Sequence, residues 1–306
     1  MLDAFGRNIR YLRLSVTDLC NLSCRYCKPR PVPKLRHEDL ASIDELMSFL
    51  DAFAALGFDK LRLTGGEPLL RKGLAALIEG GVQKGFTVGL TTNATLLAER
   101  AAELKSAGLS SVNVSLDTLD ETVYRAVCGG DLADALRGID AAVRQGFPLK
   151  INAVLQRGVN DDPRPLIDYA RSVGAELRLI ELMPFATTAD YVADRAPDSR
   201  SLLRQWDAVP IGREGKVDRY RLPDGATFGL IAPLTHPFCA ACDRVRLTCK
   251  GELIPCLHRP TVYPLRPLLK RKDFVSILKS LIAEKPPRHL LAEGVYQPID
   301  MGSIGG

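Results

Sequence analysis

The sequence predicts an α/β protein built on a parallel sheet. Three observations carry this. Between residue 11 and about residue 183, short apolar or β-branched runs alternate with helical periods, in six units. Small polar residues close most of the runs. Gly57, Gly108, Gly146 and Gly174 stand at or just past helical segments, where a left-handed residue is wanted. Units of this kind in series bury both faces of a parallel sheet, which is either open and doubly wound or most of a (β/α) barrel.

The expected strands are 11–16, 60–64, 87–92, 111–116, 149–154 and 176–180. The expected helices are 42–56, 73–84, 97–107, 131–144 and 165–173. Ser42 followed by Glu45 is a capping-box signature at the start of the first helix. Near residue 183 the rhythm is lost. Residues 186–210 read as a loop-rich, charged connector, followed by short strands at 216–222, 227–231 and 244–248, one helix at 272–283 and a polar, Gly-rich tail from 297. The expected division is 1–183 and 184–306.

The chain has 306 residues, room for about two domains or one barrel with an appendage. No run approaches the ~20 apolar residues that cross a bilayer, and the start lacks a signal-peptide pattern, so the expected compartment is the cytoplasm. Net charge is +5, which suits an anionic ligand but does not by itself argue for nucleic acid. Seven of the eight cysteines fall in two clusters, a pattern of metal binding and not of a disulfide framework.

Cys20, Cys24 and Cys27 form a C-x3-C-x2-C run after the first strand. Three thiolates on a cubane iron–sulfur cluster leave one iron open for a substrate. Spacing alone leaves a zinc site, completed by a distant residue such as His37, as the alternative. The run, with Tyr26 before its third cysteine, resembles the signature of radical S-adenosylmethionine (SAM) enzymes. Thr64-Gly-Gly-Glu-Pro68 resembles the Gly-Gly-Glu-Pro segment of that superfamily, and a glycine pair there lets backbone approach a ligand closely. The resemblance implies a partial (β/α)6 TIM-type barrel and a 4Fe-4S cluster that binds SAM.

In the second cluster, Cys239, Cys242, Cys249 and Cys256 fit a four-thiolate zinc site, while Cys239, Cys242 and Cys256 alone again leave an open iron. The C-x2-C-x13-C spacing, Arg244-x-Arg246 and the terminal Gly305-Gly306 resemble the GTP 3′,8-cyclase family, which opens molybdenum cofactor biosynthesis. That resemblance selects the three-cysteine set and implies a carboxy-terminal α+β extension with a second 4Fe-4S cluster. Departures are the short Pro-rich stretch 28–33, Ala94 where Gly is usual, Asp243 in place of the commoner Asn, and the extra Cys128 and Cys249.

Arg13, Arg62, Lys150 and Arg178 lie inside otherwise apolar strands, where cations are costly unless an anion meets them. Together they suggest a polar lumen for a polyphosphate. The resemblance implies that Arg13, Arg62, Thr91, Lys150, Arg244 and Arg246 contact GTP, that Tyr26, Gly66, Ser115 and Met183 contact SAM, and that Lys60, Asn152, Arg178, Gly305 and Gly306 belong to the active site. No side chain stands out as an acid–base catalyst. The implied reaction converts GTP to (8S)-3′,8-cyclo-7,8-dihydro-GTP: a 5′-deoxyadenosyl radical takes the ribose 3′ hydrogen and C3′ attacks guanine C8. Implied partners are a flavodoxin- or ferredoxin-like electron donor and the downstream cyclic pyranopterin monophosphate synthase, with a homodimer left open and no nucleic-acid or membrane partner. The alternative is a radical SAM enzyme acting on another nucleotide or a peptide.

Overall fold

The structure is a computed structural model that describes residues 1–27, 35–299 and 301–304. Its first part follows the expected alternation. In chain order come β1 (Tyr11–Ser15), α1 (Ile43–Ala55), β2 (Lys60–Thr64), α2 (Leu74–Gln83), β3 (Thr87–Thr92), α3 (Leu97–Ser106), β4 (Ser111–Ser115), α4 (Glu121–Cys128), α5 (Leu132–Arg144), β5 (Leu149–Val154), α6 (Arg164–Ser172) and β6 (Glu176–Ile180). The Ser42 hydroxyl accepts from the Glu45 amide while the Glu45 carboxylate accepts from the Ser42 amide, closing the capping box on α1. Gly57, Gly108, Gly146 and Gly174 all take positive φ.

The expectation of a loop connector at 186–210 is corrected. That segment holds α7 (Ala189–Arg195) and α8 (Ser199–Gln205) and enters β7 (Val209–Glu214). Both helices span about two turns, too short for a hydrophobic period to register. There follow β8 (Val217–Arg221), β9 (Thr227–Ile231), β10 (Arg244–Leu247), β11 (Glu252–Ile254), β12 (Tyr263–Pro264), α9 (Phe274–Ala283) and, in the tail, α10 (Met301–Ile304).

Among the described residues, the strands form one 12-stranded sheet in the order β12-β11-β10-β1-β2-β3-β4-β5-β6-β9-β8-β7. β1 to β6 run parallel in sequence order, as right-handed βα crossovers give. The later strands extend both edges of this core: β10 pairs parallel with β1, and β9 pairs parallel with β6. The sheet curls, since residues from β1, β3, β4, β5, β6, β9 and β10 line one cavity. The hydrophobic core lies between the strands and the helical layer, around Leu12, Leu14, Leu61, Leu63, Phe49 and Phe53, all fully buried.

Candidate active site

Both cysteine triads open onto the same cavity, of about 300 Å³. Cys20, Cys24 and Cys27 line it from the loop after β1, and Cys239, Cys242 and Cys256 line it from the far end of the chain. Among the described residues, which include all eight cysteines, there is no disulfide. The first triad is anchored by backbone. Ser23 and Arg25 donate their amides to the carbonyls of Cys128 and Val127 at the end of α4, at 2.9 and 3.0 Å. The Gly66 and Glu67 amides donate to the carbonyls of Thr17 and Leu19, at 2.8 and 2.7 Å. A Cβ on Gly66 would strike the Leu19 carbonyl, and one on Gly65 would come within 2.7 Å of the Thr17 carbonyl oxygen. The glycine pair therefore lets two backbone segments meet, besides lining the cavity.

The second triad is anchored by Arg7. Its guanidinium, paired with Asp3 at 2.6 Å, donates to the carbonyls of Cys239, Lys285, Pro286 and Pro287. Lys285 is buried, lines the cavity and donates to the Pro255 carbonyl. Burial opposes ionisation of the Cys242 thiol, yet Lys285 and Arg244 outweigh it and hold the thiol below its ordinary value. Burial pushes Cys256 up despite Lys285.

Cys249 is separate. Its thiol is buried beside Ser15 and Asp18, and burial pushes it up to about 12. Among the described residues that line the cavity, Cys249 and Cys128 are not found. The four-thiolate zinc arrangement left open by spacing is thus not assembled.

The cations form a register. Arg246, Arg13 and Arg62 are paired across β10, β1 and β2, and Gly89 follows on β3. Arg178, Asn152 and Ser115 are paired across β6, β5 and β4, and Lys150, Asn113 and Thr91 across β5, β4 and β3. Side chains at these alternate positions share the lumen face. Burial, together with Arg244 and Arg62, brings Arg13 down to about 10 even though Tyr11 opposes the shift. Burial likewise takes Arg246 well below its ordinary value, with Arg13 and Arg244 adding to the effect. Arg62 donates to Tyr11 Oη (3.2 Å) and to the Leu90 carbonyl (2.9 Å). Arg178 pairs with Glu176 at 2.7 Å, and Arg244 lies 3.4 Å from Asp243. A cluster this cationic favours a polyanion at its centre.

Two family models match the chain: the radical SAM superfamily over residues 14–170, and Molybdenum Cofactor Synthesis C over residues 175–291. A GTP 3′,8-cyclase of Peptoclostridium acidaminophilum is 41% identical, with 100% of this chain and 98% of that protein covered. The chain belongs to the GTP 3′,8-cyclase family of radical SAM proteins. A family member named GTP 3′,8-cyclase 3, from Mycobacterium tuberculosis (strain CDC 1551 / Oshkosh), is also 41% identical, over 90% of this chain and 79% of its own. In fold, the chain resembles Streptococcus suis SuiB bound to S-adenosylmethionine, with a TM-score of 0.66 and 14% identity. That likeness covers 89% of this chain but 65% of SuiB.

The family's cofactors are a 4Fe-4S cluster with SAM and an additional cluster, and the residues present fit them. Each triad supplies three thiols of the soft-donor type that iron–sulfur clusters take. Among the described residues, no three or more His, Cys, Asp or Glu side chains are drawn together around a single ion. Cys20, Cys24 and Cys27 would hold the cluster that binds SAM, and Cys239, Cys242 and Cys256 the second.

Of the remaining residues singled out in the sequence, Tyr26, Gly66, Ser115, Met183, Arg13, Thr91, Asn152, Arg178, Arg244 and Arg246 line the cavity. Arg62 and Lys150 stand behind this wall in the same strand registers, and Lys60 is exposed at the start of β2. Gly305, Gly306 and the 28–33 stretch lie outside the described residues. Sequence reading missed Lys216, Lys285, His258, His289, Asn113 and Asp117, which also line the cavity. His258 Nε2 lies 3.2 Å from Met183 Sδ. Only Asn113 carried a signal, its alternation with Ser115 on β4.

Proposed function

We propose that the chain is a radical SAM GTP 3′,8-cyclase that converts GTP to (8S)-3′,8-cyclo-7,8-dihydro-GTP, the first step of molybdenum cofactor biosynthesis. One observation carries the reading: two cysteine triads from opposite ends of the chain line one cavity with a cationic wall. When bound, the clusters and SAM supply a 5′-deoxyadenosyl radical able to take the ribose 3′ hydrogen, so that C3′ closes on guanine C8. The chain's own residues bind, orient and enclose. Tyr26, Gly66, Ser115 and Met183 form the SAM side of the cavity. Arg13, Thr91, Arg244 and Arg246 form the nucleotide side together with Asn152 and Arg178, backed by Arg62 and Lys150 in the same strand registers, while Lys60, Gly305 and Gly306 are assigned to the site by the family resemblance alone. Arg244 lies over the rings of Tyr11 and Phe238, 5.8 and 5.7 Å from their centroids, which fixes its guanidinium toward the cavity. Enclosure keeps water from a reactive carbon centre, and alignment replaces acid–base catalysis.

In this reading residues 1–183 form the SAM-binding partial barrel and residues 184–306 the auxiliary-cluster and substrate region. The electron donor is flavodoxin- or ferredoxin-like, the product passes to cyclic pyranopterin monophosphate synthase, and a homodimer is the assembly to test first. Eight cysteines outside any disulfide suit the reducing cytoplasm. Among the described residues no helix is long and apolar enough to cross a membrane.

The test is anaerobic turnover of the iron-loaded protein with SAM, a reductant and GTP deuterated at C3′. Deuterium in the 5′-deoxyadenosine, with a new GTP-derived product, is the expected result. Unlabelled 5′-deoxyadenosine with intact GTP would overturn the reading in favour of another substrate.

A further inference from the structure

Besides the cationic wall on the barrel strands, the cavity is lined by a cation at the tip of the β7–β8 hairpin. Glu214 pairs with Val217, so Gly215 and Lys216 form a two-residue turn. Gly215 takes φ +60 with open space around it, the first central position of a tight hairpin turn. Such a turn projects its second residue in a fixed direction. Lys216 lines the cavity. The four charged groups that act on it most strongly are Arg244, Arg13, Arg178 and Arg62, all cations. Three of them, Arg244 on β10, Arg13 on β1 and Arg178 on β6, line the same cavity as Lys216, and Arg62 on β2 stands behind them. The neighbouring hairpin acids are engaged elsewhere: Glu214 pairs with Arg219 at 2.7 Å, and Asp218 with His236 at 2.9 Å. Burial, with those four arginines, pulls the Lys216 ammonium well below its ordinary value. A half-buried ammonium held among guanidiniums is costly unless an anion joins them.

We propose that Lys216 is a binding residue for the polyphosphate of the substrate nucleotide, adding from the hairpin tip to the wall formed by Arg13, Arg178 and Arg244. The inference rests on the nucleotide reading of the cavity. It also assigns the β7–β8 hairpin a function, discrimination of a nucleoside triphosphate from its nucleoside. A phosphate oxygen accepts from the ammonium and relieves the cation–cation repulsion, so GTP gains a contact that guanosine cannot make.

The test measures binding of GTP, guanosine and SAM to iron-loaded wild-type protein and to Lys216→Gln and Lys216→Arg. Lys216→Gln is expected to weaken GTP about 10-fold or more, as loss of one charge-assisted contact does, and to leave guanosine and SAM within about 2-fold. Lys216→Arg keeps the charge and restores most of the GTP affinity. Equal weakening of GTP and guanosine, unchanged GTP affinity, or a loss confined to SAM would each overturn the assignment. Wild-type protein that binds GTP no more tightly than guanosine would overturn the polyphosphate reading itself. The turn side chain packs into no core, and the arginine variant reports on any loss of fold.

Discussion

A Cβ built on Gly89 lies 2.5 Å from Cζ of Arg62. The two residues are register partners on β3 and β2, and the absent side chain of one is the space occupied by the guanidinium of the other. Gly89→Ala moves Arg62, since the far end of an arginine yields before two strands part. Arg62 then loses its bond to the Leu90 carbonyl. The expected outcome is a GTP affinity lower by roughly 10-fold, with stability reduced by only about 1 kcal/mol. Titration calorimetry and thermal melts check the two halves separately. An affinity unchanged beside a lowered melting temperature would show that Arg62 does not serve the nucleotide.

The separation of Cys249 from the cavity gives a second expectation. Cys256→Ser removes one of three thiols at the second triad, so the reconstituted protein should hold about half the iron of the wild type. Cys249→Ser should keep the full complement, because its thiol is buried beside Ser15 and Asp18 and does not line the cavity. Iron and acid-labile sulfide analysis distinguishes them. Equal iron loss in both variants would restore the four-cysteine arrangement.

The legible parts of the chain are those with local causes. The Ser42–Glu45 cap, the helix-ending glycines and the six strands of the barrel each follow from a few neighbouring residues. The edge strand β7 did not show itself, because all six of its residues are exposed and Pro210 and Gly212 interrupt the pattern. Helix α4 was missed for its β-branched Thr122 and Val123. Its stability comes from the Asp120 cap and from Tyr124, 1% exposed in the core. In the site, motif residues were legible by spacing and resemblance. Lys216, Lys285 and Arg7 were not, since each is an ordinary surface-type residue until the fold brings it in. Nor did the sequence reveal that the carboxy-terminal strands extend both barrel edges, which depends on pairings between strands more than 50 residues apart, such as Arg178 with Gly229.

Two buried carboxyls set a pH dependence. Burial pushes Asp117 up to about 6 and Glu67 up to about 7, against the hydrogen bonds each accepts. Each binds its proton more tightly when folded, so its contribution to stability is full below the ordinary carboxylate range. That contribution is lost as pH rises through about 6 and about 7. The iron-free protein should therefore melt lower at pH 7.5 than at pH 5. Asp117→Asn keeps an acceptor for the Val154 amide and removes the titration. It should narrow that difference by roughly 2 °C, the equivalent of about 1.4 kcal/mol in a chain of this size. A pH profile identical in wild type and variant would show that Asp117 is ionised throughout.

Ala94 adopts a left-handed φ of +65 and is fully buried. This turn follows β3 and directs the Ala94 carbonyl against Gly138 in the middle of α5, where a Cβ would overlap the oxygen. Alanine for glycine inside a helix ordinarily adds up to about 1 kcal/mol. Here the obstacle is backbone in a strained turn, with no flexible side chain to give way. Overpacking of this kind costs about 1–3 kcal/mol, which exceeds the helical gain. Gly138→Ala should therefore lower the melting temperature by several degrees. It should also disturb the adjoining Thr92–Asn93 segment, whose Thr92 hydroxyl and Asn93 amide donate to Glu67 at 2.7 and 2.8 Å. Because both residues line the cavity, SAM and GTP binding should weaken together in this variant, whereas Gly89→Ala affects GTP alone. A variant more stable than wild type would mean that α5 slides away from the turn at little cost.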